Sequence, residues 1–222
     1  PNIFGIEKVL EPIIAPPPDL AKRGQVSASD LLIDRDGNIR RGVVIVSRPN
    51  GDVVQGMGTY AALYYLQSRG IELEILNNDR HTYKLGKAKF APITHDNTIY
   101  TDEDLTGYQI LLSYLARADQ FPQISLRDVL DNKISHDFLK DKIVLIGSKA
   151  PSLNDNYRTP FNNSLVKEQS LMPGVVIHAN MALQIIDSAL NGHPFLQRPA
   201  AWIDYTWIVF WVFYGTLSGL SY

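Results

Sequence analysis

Two stretches decide the fold, Lys142-Ile-Val-Leu-Ile-Gly147 and Met172-Pro-Gly-Val-Val-Ile-His-Ala-Asn180, with a loop rich in Pro, Asn and Ser between them. The apolar run from Ile143 to Ile146, closed by Gly147, has the length and β-branching of a strand buried on both faces. Pro173 suits the start of a helix, where its missing N–H has no intrahelical partner to lose. Apolar residues then recur at Val175, Ala179, Ala182, Ile186 and Leu190 with a helical period, until Asn191-Gly192 offers a left-handed stop. Strand, loop and helix in this order predict an α/β fold. A mixed, mostly buried sheet is expected, with the Lys142 strand central and the Val175 helix among those covering it. In open α/β sheets ligands sit beyond the carboxyl ends of strands, where this loop would lie. From Ser148 to Leu171 the loop spans about two dozen residues, long for a compact domain unless it has a function. It is expected to pack over the end of the Lys142 strand and to bring Asp155 into a polar network or pocket there.

Upstream, Ile3 to Leu10 reads as a short strand, and Pro16-Pro17-Pro18 as loop or polyproline. A start this abrupt suggests that earlier strands precede it. Gln25 to Ile33 and Ile39 to Ser47 flank Asp36-Gly37, a dipeptide suited to the positive φ angles of a hairpin turn. Asp34, Asp36 and Asn38 mimic the first ligands of a calcium loop. The pattern then fails, because Ile39 stands where glycine is needed and Ile45 where glutamate is needed. Arg40 and Arg41 point to opposite faces of a strand, so one must turn inward and find a carboxylate, with Asp34 or Asp36 nearest. Thr59 to Arg69 reads as a helix stopped by Gly70, and Ile71 to Leu76 as a strand. Lys84, Lys87 and Lys89 suit an edge segment that discourages further pairing. Tyr108 to Ala116 is apolar at nearly every position and fits strand or helix; strand is the reading adopted. Ser125 with Asp128 three residues on marks a short helix running to Asn132.

Composition narrows the functional classes. The 222 residues suit one domain with an appendage, and 45% hydrophobic with 20% charged residues is globular in character. A formal charge of −2 gives no reason to expect a nucleic-acid partner. The absence of cysteine excludes disulfides, thiolate metal sites and cysteine nucleophiles. No phosphate loop is present, since Gly147-Ser148-Lys149 lacks the upstream glycine, and no metal-binding histidine spacing occurs. No cofactor is expected. Asn162-Asn163-Ser164 is a formal glycosylation acceptor.

Ser148, Asp155 and His178 are the three residue types of an acyl-transfer triad, which keeps a membrane-attached hydrolase as an alternative. Against it, no Gly-x-Ser-x-Gly elbow exposes the serine. On a helical wheel His178 lies about 60° from Val175 and faces the core, whereas Asn180 lies about 160° away from it, with Gln184, Asp187 and Asn191. A neutral core histidine bonded to loop backbone is the plain reading. The sharper one makes His178 a ligand contact, or a pH-sensitive group tuned by Asp155. From Tyr205 to Leu220 sixteen residues carry no charge, and Trp202 and Tyr205 stand at one end as interfacial aromatics. A membrane span beginning near residue 200 is expected.

Lys142 to Gly147, the later Asp155 and Thr159-Pro160, and Met172 to Asn180 together resemble the CHASE2 domain, an extracytoplasmic sensor of bacterial signalling receptors. The Asp34-Arg-Asp-Gly-Asn-Ile-Arg-Arg41 hairpin and Gly107-Tyr-Gln-Ile-Leu-Leu112 extend the likeness, which covers roughly residues 3 to 199. Many members carry an acidic residue where this chain has Val176. The resemblance implies a sensor domain over residues 1–199 and the first of the family's membrane helices over residues 200–222. It implies a stimulus sensed outside the cytoplasm, small molecule or physical, and an output module such as a cyclase or kinase beyond the membrane. The expected ligand-binding residues are Ser148, Asp155 and His178. The expected partners are that stimulus, the bilayer around the C-terminal helix, and a second copy of the chain in a homodimer. A noncatalytic dimerisation module is the remaining alternative.

Overall fold

The computed structural model describes residues 3–78, 81–94, 104–160, 171–197 and 201–220. In chain order they form β1 (Gly5–Glu7), α1 (Pro18–Ala21), β2 (Val26–Ala28), β3 (Arg41–Ser47), β4 (Val53–Gln55), α2 (Met57–Gln67), β5 (Leu73–Asn77), β6 (Thr82–Leu85) and β7 (Ala88–Phe90). There follow β8 (Tyr108–Leu111), α3 (Leu126–Leu130), α4 (His136–Leu139), β9 (Asn156–Tyr157), β10 (Met172–Pro173), α5 (Gly174–Asn191) and α6 (Ala201–Leu220). The class is mixed α/β. In place of one large sheet, though, the strands form four small ones: a parallel β1-β2 pair, antiparallel β4-β3-β8 and β5-β6-β7 triplets, and an antiparallel β9-β10 pair. The tight turn at Gly37 forms, with a positive φ of 81°. The strand before it, however, pairs in parallel with β1 and leaves only an isolated Leu32–Arg41 bridge to β3. The lysine cluster is also not at an edge throughout, because Lys84 lies on the central β6 and pairs with Glu74 at 3.0 Å.

At the centre of the molecule lies α5, buried along nearly its whole length. Val176, Ile177, Met181, Ala182, Ile185 and Ala189 pack it into the main core with Ala62 and Leu66 of α2. Each such large side chain contributes about 1.5 to 3 kcal/mol when fully buried. The approach of α2 is close. A Cβ on Gly58 would lie 2.7 Å from the His178 carbonyl oxygen, so any larger residue there would push the helices apart.

The predicted Lys142 strand is the principal correction. Residues 142–150 form no strand, and Ile143, Val144 and Ile146 are exposed at 37%, 53% and 85%. A run of apolar residues becomes a buried strand only where ladder partners flank it, and the place such a partner would occupy is taken. Along the edge of β8 that faces away from β3, Gln184 Nε2 donates to the Leu111 carbonyl at 3.0 Å, and its Oε1 accepts from Ser113 N at 3.0 Å. Just beyond, Asn180 Oδ1 accepts from Ala116 N and its Nδ2 donates to the Ala116 carbonyl, both at 3.0 Å. Two helix amides thus stand in for a neighbouring strand. Wheel reasoning puts Asn180 and Gln184 opposite the core face. That side is buried as well, leaving them 0% and 3% exposed.

The membrane span is the second correction. The helix α6 forms, but among the described residues no helix is long and apolar enough to cross a membrane. Asp204 in the first turn, the polar groups of Trp and Tyr, and Thr206, Thr216 and Ser218 dilute its apolar character. The Asn162-Asn163-Ser164 acceptor, much of the long loop and Pro199 lie outside the described residues.

Replacing Asn180 by Leu keeps the number of side-chain heavy atoms but removes the partners of the partly buried N–H and C=O of Ala116. Each orphaned group costs about 1 to 3 kcal/mol. The expected outcome is a loss of about 2 to 4 kcal/mol in unfolding free energy, read from the urea midpoint at unchanged m-value; an unaltered midpoint would show that the clasp carries no weight.

Candidate functional site

The site nearest the sequence expectation is the start of α5. A short 3₁₀ turn, Pro151–Leu153, ends at Asn154, whose left-handed φ of 51° redirects the chain into β9. Antiparallel pairing of Tyr157 with Met172 and Asn156 with Pro173 then lays Asp155 against the first residue of the helix. Gly174 N donates to the Asp155 carbonyl at 3.0 Å. A Cβ on Gly174 would sit 2.5 Å from Asp155 Oδ1, so the glycine is what admits the carboxylate to this position. Asp155 is half-buried. Burial pushes its carboxyl above the ordinary value, opposed by the Tyr157 hydroxyl that donates to it and by the charge of Lys8. Asp155 therefore belongs to a polar network at the helix start. Gly147, at the end of the Lys142 run, also reaches this turn, since a Cβ there would lie 2.5 Å from Val175 Cβ.

The other two expected residues have separate partners. His178 is 5% exposed, and its imidazole donates to the Ser29 backbone carbonyl beyond β2. Burial outweighs that bond and pulls its pKa down from 6.5 to about 4, so the ring is neutral across the physiological range. Ser148 Oγ accepts from Ala150 N at 3.1 Å. Serine and histidine are thus engaged with different backbone groups, and the hydrogen bond a hydrolytic triad requires is not formed. Among the described residues no cluster of three or more metal-ligating side chains occurs.

A second polar assembly surrounds the Asp34 hairpin. Arg41 is the inward-turned arginine, 2% exposed, with Nε 2.8 Å from Asp34 Oδ1 and Nη1 3.0 Å from both Gln109 Oε1 and the Asp104 carbonyl. Arg40 turns the other way and reaches Asp34 and Asp36 together. Asp36 is held below the usual carboxylate range, first by the Arg40 guanidinium. Pairing of the arginines with Asp34 and Asp36 is readable from residue types alone. The roles of Gln109 and Lys8 are not, since each depends on contacts made far along the chain.

The family model for the CHASE2 domain matches residues 2–217, essentially the whole chain. The chain belongs to the CHASE2 domain family, a family of sensor domains. No curated protein matches it, and no solved structure does.

Gly174→Val should destabilise the chain by about 1 to 3 kcal/mol through overpacking against Asp155. The double variant with Asp155→Ala should recover part of that loss; a melting temperature unchanged in Gly174→Val would remove the steric role. His178 gives a pH dependence of defined sign. Its folded pKa lies below its unfolded value, so the unfolded chain binds more protons between pH 6.5 and about 4, and stability falls as pH drops through that window. The fall attributable to this group is about 3 kcal/mol between pH 7 and pH 4. Urea titrations of the parent and of His178→Gln at both values should show the variant losing correspondingly less.

Proposed function

We propose that this chain is the extracytoplasmic sensory input domain of a membrane-bound receptor, relaying its stimulus through α5 and α6 to a cytoplasmic output module. The observation that carries the reading is the continuity of the path. One end of α5 meets the Asp155 network, its body runs through the core, and it stops at Gly192, where φ is 81°. Only residues 193–200 separate that stop from α6. The connector is anchored: His193 Nδ1 bonds to Asp187, and Phe195 is buried edge-to-face against Phe90, with centroids 5.0 Å apart. Pro194 fixes φ beside that anchor.

A membrane role for α6 is supported by its surface. Trp207, Phe210, Trp211 and Phe213 are exposed, while the hydroxyls of Thr206, Thr216 and Ser218 fold back onto carbonyls of their own helix. Such a surface suits apolar surroundings, with the polar tips of Trp and Tyr at the interface. Packing beside further helices would compensate for its limited apolar length.

The ligand site of this reading is the Asp155 network at the α5 start, with Ser148 beside it and His178 supporting the helix from within. A second reading is favoured by the exposed Ile143, Val144 and Ile146: a second copy of the chain covers this run in a homodimer. Sedimentation of Ile146→Lys against the parent tests that reading.

Moving a two-state relay from 1:99 to 99:1 takes about 5.5 kcal/mol of differential ligand affinity, which a stiff connector transmits and a flexible one dissipates. Inserting four Gly/Ser residues between Leu196 and Gln197 in the intact receptor should leave the domain folded while uncoupling stimulus from output. A receptor that still responded like its parent would refute the relay.

A further inference from the structure

Two segments of this chain have the form of a strand with an unused edge. The first is the apolar run over residues 142–147, which continues to residue 150 without a turn or bend. Its exposure alternates, with Ile143 and Leu145 the more covered and Val144 and Ile146 the more open. That is the period of a strand lying on the protein by one face. Gly147, in phase with Ile143 and Leu145, comes close to Val175 on the same side. Among the described residues no backbone N–H or C=O over residues 143–147 is hydrogen-bonded. The second segment is β5, at one end of the β5-β6-β7 sheet, where every residue from Leu73 to Asn77 is exposed. Among the described residues β6 is its one ladder partner, so the two segments do not pair within a copy.

Charge decides what each segment can pair with. Lys140, Lys142 and Lys149 flank the run, against Asp141 as the one carboxylate, and all four are exposed. Among the described residues none of these lysines has a carboxylate partner: Lys142 Nζ lies over the Phe138 ring, and Lys149 Nζ donates to Gln123 Oε1. The β5 stretch instead carries exposed Glu72 and Glu74, of which Glu74 is shared with Lys84. Pairing run with run sets the lysines of two copies against each other, and pairing β5 with β5 sets glutamate against glutamate. Run against β5 is the combination that joins opposite charges.

We propose that the 142–147 run of one copy adds as a strand to the outer edge of β5 of a second copy. Its lysines lie beside Glu72 and Glu74, and its apolar side chains beside Leu73, Ile75 and Leu76. The ladder supplies backbone partners to both segments, which is the source of affinity in strand addition. Charges on an edge strand ordinarily discourage pairing, and here they select a partner rich in lysine. The contact is heterologous, each copy offering its run and receiving on β5. This assignment rests on the reading above that a second copy covers the run, and it names the surface that does so.

The test is sedimentation equilibrium of the 222-residue chain in a nonionic detergent that shields α6 in every sample. The parent should self-associate. Ile146→Lys, Glu72→Lys/Glu74→Lys and Lys142→Glu/Lys149→Glu should each associate at least tenfold more weakly. The replaced side chains are all exposed, so these variants should fold, and urea midpoints close to the parent's check that they do. Mixing the two charge variants should restore association between them, because each keeps the surface that the other has lost. Val144→Pro and Leu145→Pro remove an N–H from alternate edges of the run without breaking a bond within the copy. At least one of them should weaken association tenfold, and no effect from either overturns strand addition. A monomeric parent overturns both this proposal and the second-copy reading. If Ile146→Lys dissociates the parent while Glu72→Lys/Glu74→Lys associates as the parent does, the second-copy reading stands and β5 falls as its partner. The proposal falls also if the two charge variants stay apart when mixed.

Discussion

A helix buried along most of its length has to settle the polar side chains it carries inward, and the bonds from Asn180 and Gln184 to the outer edge of β8 are how α5 does so. Those two amides make four hydrogen bonds to backbone between Leu111 and Ala116. Through them the helix is fixed along its axis relative to the β4-β3-β8 sheet, because a slide by one residue would break all four. The position of α2 follows from that of α5, since Gly58 lets the two backbones come into contact. The Asp155 network and the neutral His178 are then built on faces of α5 whose orientation is already set.

Local chemistry made much of this legible. The start of α5 at Pro173-Gly174 and its stop at Gly192, the helix α2, the turn at Gly37, the Ser125 cap and the Arg40/Arg41 pairing all depend on residues a few positions apart. What failed depended on partners distant in sequence. Ile143 to Ile146 has every local mark of a core strand, yet strand formation requires a neighbour, and the free edge of β8 is occupied by helix side chains. Asn180 and Gln184 look like a solvent-facing stripe because a wheel assumes one wet side. Amides four residues apart on an otherwise apolar helix are the available signal that this side, too, meets backbone.

The candidate site was legible in part and for the same reason. From the length of the loop Asp155 was expected in a polar network over the end of the Lys142 run. That its carboxylate lies directly over Gly174 comes from the β9-β10 ladder, two residues on each strand, too short to leave a pattern.

The last turn of α5 bears on how the molecule comes apart. A helix end leaves carbonyls without intrahelical partners, and here the Ala189 carbonyl accepts from Lys87 N at 2.9 Å, across the turn joining β6 to β7. The three-stranded β5-β6-β7 sheet thus terminates the helix, and Leu85 and Ala88 on either side of that turn belong to the main core. Peeling the sheet away would expose both side chains and orphan the helix end together, so it has no independent route to opening. Sheet and helix are thereby coupled, so that opening of β6 and of the last turn of α5 should go together.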